Sequence, residues 1–138
     1  MSTLNDALAE SSVDWSLRTN YRYVGTARPS VLSVRVTVDI TTDLPKWAPP
    51  AGTNDYLVAG WNAALAGMRR HTQGEAVIAV QAAGRFLGAA TKTKFTSVKA
   101  MQRYFDQVAD KYLDWASDRM RSYNEKTIWG ETQGAFIH

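Results

Sequence analysis

The sequence predicts an α+β protein in which a small antiparallel sheet packs on two long helices. Strand-like alternation of apolar and polar residues is confined to the chain before residue 45, whereas helix-like spacing of apolar residues follows over residues 55–90 and 97–123. Strands followed by helices, rather than alternating with them, are typical of the α+β class. A chain of 138 residues is long enough for one domain with its own core.

The first 14 residues, MSTLNDALAESSVD, are polar and indicate a flexible or short helical lead-in. We therefore expect a single domain over residues 15–138. The lead-in lacks the basic start and apolar stretch of a signal peptide, and no run approaches the length of a membrane span. The sequence thus predicts a cytoplasmic protein with no membrane partner, unless a leader has been removed.

Two strands are expected. Tyr21 and Tyr23 alternate with polar neighbours in NYRYVG, which indicates a short strand before the break at residues 25–29. The run VLSVRVTVDITTD is the clearest strand, because its apolar and polar residues alternate with a period of two. The face predicted to be buried holds Leu32, Val34, Val36, Val38 and Ile40.

A first long helix is predicted over residues 55–90. The segment LPKWAPPAGTN stops the preceding strand, Trp47 is expected to plug the turn, and Thr53 or Asn54 can cap the helix. The apolar stripe, at alternating spacings of four and three, consists of Leu57, Trp61, Ala64, Met68, His71, Glu75, Ile78, Ala82 and Arg85-Phe86. Two polar residues, His71 and Glu75, therefore lie on the stripe predicted to be buried.

A second long helix is predicted to open after Thr96 and to end near Tyr123. Its stripe consists of Val98, Met101, Phe105, Val108, Tyr112 and Trp115. The remaining tail, NEKTIWGETQGAFIH, is expected to be a loop with a short extended end.

Charge and composition exclude several functions. The net charge is only +3, and the basic residues are scattered among acidic ones, so we expect no nucleic-acid partner. Cysteine is absent, which excludes disulfides, a thiolate nucleophile and cysteine metal sites.

His71 and Glu75 are four residues apart in HTQGE, so they lie on one face of the helix with β-carbons about 6 Å apart. That separation suits two ligands of one metal or two partners in proton transfer. In HExxH zinc sites two histidines hold the ion and the intervening glutamate is the general base. The simplest structural alternative is a buried ion pair between His71 and Glu75.

Three segments carry a family resemblance: LPKWAPP, the helix motif HTQGEAVIA and the late TIWGETQG. Together they resemble a bacterial family described as predicted secreted zinc-dependent proteases, formerly a domain of unknown function. Its members have a strand ending LPxWxPP, a helix with HExGHxxIA and a C-terminal T-x-HG-x-TQG. The resemblance spans about residues 15 to 136 and implies a zincin-like minimal core.

This chain departs from the family pattern at three positions that matter for zinc. Thr72 replaces the glutamate, Glu75 replaces the second histidine, and Trp129 replaces the C-terminal histidine. An indole cannot ligate zinc, because its nitrogen is only a donor. Catalytic zinc has three protein ligands and at most two remain here, so we predict no metal, no cofactor and no peptidase activity of the parent type.

Two functions remain open. The first is a metal-independent acid/base enzyme for a small aromatic or amine-containing substrate, such as a cyclisation or condensation, with Glu75 and His71 catalytic and with Trp129, Thr72 and Gln133 binding the substrate. The second is an inactive pseudo-protease that binds a peptide or a protein. An engineered loss of the zinc ligands and a homodimer are also possible.

Overall fold

The structure is a computed structural model that describes residues 2–138, so the first residue of the predicted lead-in lies outside it. Its elements are α1 (Ser2–Ala9), β1 (Ser12–Val24), β2 (Ser30–Asp43), α2 (Asp55–Ala89), α3 (Val98–Lys126) and a short 3-10 turn (Glu131–Gln133). The α+β class is confirmed, as are the two long helices. No helix in residues 2–138 is both long and apolar enough to cross a membrane.

The described residues form two compact units. Unit 1 comprises residues 2–14, 41–77 and 120–138, and unit 2 comprises residues 15–40 and 78–119. Each unit has its own cluster of buried apolar side chains. The motif HTQGE lies entirely in unit 1.

The segment before Trp15 contains a short helix, which is one of the two alternatives that the sequence leaves open for the lead-in. Residues 2–9 form α1, β1 already begins at Ser12, and Leu8 is buried in the core of unit 1. The Asn5 side chain donates to the carbonyl of Ile137 and accepts from its amide, at 3.0 and 2.9 Å. These contacts fix α1 against the C-terminal segment, which local sequence patterns do not reveal.

The strands β1 and β2 form a two-stranded sheet, and their short connection makes them antiparallel. The predicted burial of β2 is right for Val34, Val36, Val38 and Ile40, which are partly buried, but wrong for Leu32, which is 63% exposed. Val31 is buried instead. Its amide donates to the carbonyl of Thr93 at 2.7 Å, and this pairing breaks the alternation at the start of the strand.

In unit 2 the sheet packs on aromatic side chains of α2 and α3. Phe86, Met101 and Phe105 are almost fully buried, and the ring of Tyr21 stacks on that of Phe105 with centroids 4.3 Å apart. Val34 and Val36 pack against the same cluster. The end of the predicted α2 stripe, at Phe86, and most of the predicted α3 stripe therefore form this core.

The start of α2 follows the capping prediction. Asn54 Oδ1 accepts from the amide of Tyr56 at 2.8 Å, so Asn54 rather than Thr53 is the cap. In unit 1, Trp61 and Met68 of the predicted stripe are buried, and Trp47 packs edge-on against Trp61 at 5.8 Å between centroids. Trp47 thus closes the turn before α2, as the sequence predicts.

Candidate functional site

The predicted pair on α2 is in contact. His71 Nε2 lies 3.0 Å from Glu75 Oε1, as the spacing of four residues predicts. His71 is 3% exposed, and the Glu75 side chain is 18% exposed. The pair thus joins a buried imidazole to a carboxyl group that solvent can reach.

The other side of the imidazole is held by α3 and by the C-terminal segment. His71 Nδ1 lies 2.9 Å from Gln133 Oε1 and 3.3 Å from Thr127 Oγ1. Tyr123 Oη donates to the carbonyl of His71 and accepts from Gln133 Nε2, both at 2.9 Å. The ring of Tyr123 also stacks on the imidazole, with centroids 5.0 Å apart.

These contacts determine where the protons are. Because Gln133 Nε2 donates to Tyr123, its Oε1 is left to accept, and His71 Nδ1 therefore carries a hydrogen. His71 Nε2 and Glu75 Oε1 then share one further proton. The pair is either an imidazolium beside a carboxylate or a neutral imidazole that accepts from a carboxylic acid.

The environment favours the charged form of His71. Burial lowers the pKa of His71, but the hydrogen bond to Glu75, the hydrogen bond to Gln133 and the negative charge of Glu75 together raise it above its ordinary value of 6.5. The Asn124 side chain also raises the pKa of His71, and its effect is the weakest of these. The position of Asn124 Oδ1 does not satisfy the distance and angle of a hydrogen bond. The partners of His71 therefore favour an imidazolium beside the Glu75 carboxylate.

Two glycines of α2 allow the surrounding segments to approach. A β-carbon at Gly74 would collide with the hydroxyl of Tyr123, and one at Gly67 would collide with backbone atoms of Gln133, Gly134 and Ala135. The sequence predicts a close approach at Gly74, since mid-helix glycine costs about 1 kcal/mol relative to alanine. That prediction is confirmed, and the neighbour is Tyr123.

After α3 the chain turns through three residues with positive φ angles, Ile128 (50°), Trp129 (54°) and Gly130 (95°). Left-handed backbone is strained for a residue with a β-carbon, and more so for a β-branched residue such as isoleucine. Gly130 is needed there, because a β-carbon would also lie 3.1 Å from His71 Cγ. The turn therefore places two exposed side chains, Ile128 and Trp129, at the cost of backbone strain.

The pair faces a cavity of about 600 Å³ within unit 1. A volume of this size is typical of sites for small molecules. Its walls come from α1, the start of β1, α2, the end of α3 and the C-terminal segment. The lining consists of Asn5, Asp6, Ala9, Ser11, Ser12, Val13, Met68, His71, Glu75, Asn124, Ile128, Trp129, Glu131, Ala135 and Phe136.

The comparisons with known proteins place the chain in a family. The profile of a bacterial protein family of unknown function, DUF922, matches residues 2–131. The chain belongs to DUF922. This membership is consistent with the bacterial family that the motifs resemble, and the family description names no activity. Neither the curated proteins nor the solved structures include one that matches this chain.

The motifs of the resembled family imply a zinc ion at the site formed by His71 and Glu75. Within residues 2–138, no three histidine, aspartate or glutamate side chains come together as metal ligands would. His71 and Glu75 provide two candidate ligands, and both ring nitrogens of His71 already have partners. Catalytic zinc needs three protein ligands, so the residues present do not fit this group.

The structure brings most, but not all, of the predicted site residues to the cavity. His71, Glu75 and Trp129 line it. Gln133 contacts His71 rather than the cavity. The Thr72 hydroxyl is buried and donates to the carbonyls of Met68 and Arg69, both at 3.1 Å, so it is not available to a substrate there.

Several residues of the site were missed by sequence reasoning. Tyr123 was expected only as the end of α3, although Gly74 indicated a close neighbour. Asn124, Asp6 and Ser11 line the cavity from distant parts of the chain, and no spacing in the sequence links them to HTQGE. Their positions depend on the packing of α1 and α3 in unit 1.

Proposed function

We propose that this DUF922 protein is a metal-independent enzyme that transfers a proton on a small organic molecule. Glu75 is the general acid/base and His71 is its partner. The observation that supports this most is the 3.0 Å contact between Glu75 Oε1 and His71 Nε2 at the wall of a cavity of about 600 Å³. A carboxyl group in this setting can take a proton from a bound molecule and return it to another atom.

The contacts of His71 support a role in proton transfer rather than in packing alone. Gln133 and Tyr123 hold the imidazole from one side, which leaves Nε2 directed at Glu75. The imidazolium stabilises the Glu75 carboxylate, and the carboxylate is the group that accepts a proton from the bound molecule. When Glu75 is protonated, His71 can become neutral and keep the hydrogen bond.

Trp129 serves as the wall against which an aromatic or other flat molecule stacks. It is 66% exposed and lines the cavity together with Glu75. Aromatic stacking supplies much contact area and fixes the plane of a ligand. A reaction that moves a proton within a flat molecule, such as a cyclisation, a condensation or an isomerisation, suits this arrangement.

A second candidate function, a binding module without catalysis, is favoured by the rim of the same cavity. Ile128, Trp129 and Phe136 are exposed apolar side chains, and all three line the cavity. A rim of this kind also suits the side chain of a peptide or a partner protein. In that case the pair on α2 would only stabilise the fold.

A screen in heavy water separates the two functions. Small aromatic molecules are mixed with the metal-stripped protein, and NMR follows both their binding and any conversion or deuterium incorporation. If the protein is an enzyme, the wild type should convert a substrate and Glu75→Gln should not. Glu125→Gln should convert it as the wild type does, because Glu125 is exposed and lies outside the cavity lining.

Binding without any conversion in the wild type would favour the binding module. Metal analysis provides a separate check. Zinc near one atom per chain after purification, or a large rise in melting temperature with added zinc, would contradict the metal-independent reaction.

A further inference from the structure

Two buried polar atoms at the cavity have no hydrogen-bond partner. Within the part of the chain that the structure describes, the unpartnered buried side-chain atoms are Ser11 Oγ and Asn124 Oδ1. Both residues line the cavity beside His71 and Glu75, and Asn124 is only 8% exposed. A buried acceptor without a donor destabilises a protein, so its presence at a cavity indicates that a ligand supplies the donor.

Apart from the imidazolium of His71, which is paired with Glu75, the charged side chains around the cavity are negative. Its lining includes the carboxylates of Asp6, Glu75 and Glu131, and no lysine or arginine. Arg70, which is near in sequence, instead donates to the carbonyl of Gln133 at 2.7 Å. The cavity therefore favours a cation, and it disfavours a carboxylate or a phosphate.

The aromatic wall fits the same ligand. Trp129 is held in a left-handed backbone conformation, and Phe136 lines the cavity nearby in the C-terminal segment. Aromatic faces attract organic cations, and tryptophan does so most strongly. One kind of molecule suits all three features of the cavity. Its N–H group would donate to the free acceptor, its positive charge would lie near the carboxylates, and its apolar part would pack on the indole.

We infer that the ligand of this cavity is a protonated organic amine, with an N–H group donating to Asn124 Oδ1 and its apolar part against Trp129. Asn124 then determines which substrate binds. This inference names the substrate class of the proposed function, and it rests on that function for the location of the site but not for the reaction.

Three matched probes test the charge preference. Phenethylamine, phenethyl alcohol and phenylpropanoate carry the same ring with a positive, neutral or negative end. We expect the amine to bind about tenfold more tightly than the alcohol at low salt, with a smaller difference at high salt, and the carboxylate to bind more weakly still. Calorimetry or NMR titration measures the three dissociation constants.

Substitution of Asn124 tests the acceptor. In Asn124→Leu the amine should lose about tenfold in affinity, and the alcohol, which is a neutral donor, should lose less. The unfolding midpoint of the free protein should rise, because a buried acceptor without a partner has been removed. An asparagine that only supports the fold would give the opposite result, namely a lower midpoint and unchanged probe affinities.

A second variant replaces the two exposed carboxylates of the cavity, Asp6 and Glu131, and leaves the core unchanged. Asp6→Asn combined with Glu131→Gln should reduce the preference for amine over alcohol, whereas the control Glu125→Gln should not. Equal binding of the three probes, tighter binding of the carboxylate, or an unchanged preference in the double variant would each overturn the inference.

The failure of this inference and the failure of the proposed function give different results. An amine that binds through Asn124 but is never converted contradicts the enzyme and leaves the ligand class intact. A neutral molecule that is converted through Glu75 contradicts the ligand class and leaves the enzyme intact.

Discussion

Units 1 and 2 differ in what they bury. In unit 2 the core is apolar and largely aromatic, built from Phe86, Phe95 and Phe105 with smaller side chains around them. The buried polar residues of the described chain, His71, Thr72 and Asn124, all lie in unit 1. So do the residues other than glycine that have positive φ angles. Buried polar groups and backbone strain reduce stability, and they persist mainly where function needs them.

The same helix contributes to both units. Along α2 the stripe keeps the same helical spacing, alternating four and three residues, from Trp61 to Phe86. At residues 71–75, however, it carries a histidine and a glutamate instead of apolar side chains. Helical periodicity therefore determines which side chains are buried, whereas the neighbouring segments determine what a buried polar side chain can do.

The largest expected effect is in the core of unit 2. Phe86→Ala removes a fully buried ring and should lower the free energy of unfolding by about 3–5 kcal/mol. Val80→Ala, at an exposed position of the same helix, should change it by less than about 0.5 kcal/mol. Denaturant titration measures both. A cost below about 1 kcal/mol for Phe86→Ala would mean that the aromatic cluster is not the main support of unit 2.

The next effect compares two glycines of α2. Gly67→Ala should destabilise by about 1–3 kcal/mol, because the new methyl group would collide with the backbone of the C-terminal segment. Gly84→Ala meets nothing within 4 Å and should stabilise by about 0.5–1 kcal/mol, since alanine is the better helix former. Thermal melts of the two variants give the signs. If both variants are stabilised, the C-terminal segment does not pack on Gly67 as described.

The fold could be predicted from the sequence wherever one pattern repeats. The spacing of apolar residues gives α2 and α3 within a few residues, and period-two alternation gives most of β2. For helix α1 the sequence left a flexible segment and a short helix open, because an isolated helix of eight residues is not stable by itself. Helix α1 depends on Leu8 in the core and on the contacts of Asn5 with Ile137.

In the candidate site too, contacts within one helix could be predicted from the sequence, whereas contacts between distant segments could not. His71 and Glu75 could be paired from their spacing, because both lie on one helix. Their partners Tyr123 and Gln133 come from other segments, and Gly74 gave the only local sign of such a neighbour. Asn124 carries no pattern in the sequence at all. It becomes significant only when its burial and its missing partner are known.

A smaller effect is expected at the strained turn. Ile128→Gly should stabilise the protein by about 0.5–1 kcal/mol, because glycine adopts the left-handed conformation without strain and the isoleucine is largely exposed. Ile128→Ala removes the β-branch but keeps the β-carbon, so it should give a smaller gain. Ligand affinity should fall in both variants, since an apolar part of the cavity rim is lost. Equal stability of the two variants would show that the turn stores no strain.

The smallest effect is expected in the pH dependence of the free energy of unfolding. Burial lowers the pKa of His71 while its hydrogen-bond partners raise it, so the two effects partly cancel. Its pKa is raised above 6.5, so its protonation stabilises the folded state. That contribution is complete below about pH 6.5 and is lost as the pH rises through the raised value. The free energy of unfolding should therefore fall over this window in the wild type, and this fall should be absent in His71→Gln.

Glu75→Gln isolates the cause. It removes the negative charge that helps to raise the pKa of His71, so the fall with pH should become smaller or reverse. The other titratable groups around the site are Tyr123, and Asp6 and Glu131 along the cavity. Asp6→Asn and Glu131→Gln should leave most of the slope unchanged. The exposed His138 provides the control, and His138→Gln should behave as the wild type. A slope that survives in His71→Gln would locate the titrating group elsewhere, and the shared proton of the pair on α2 would then have no part in stability.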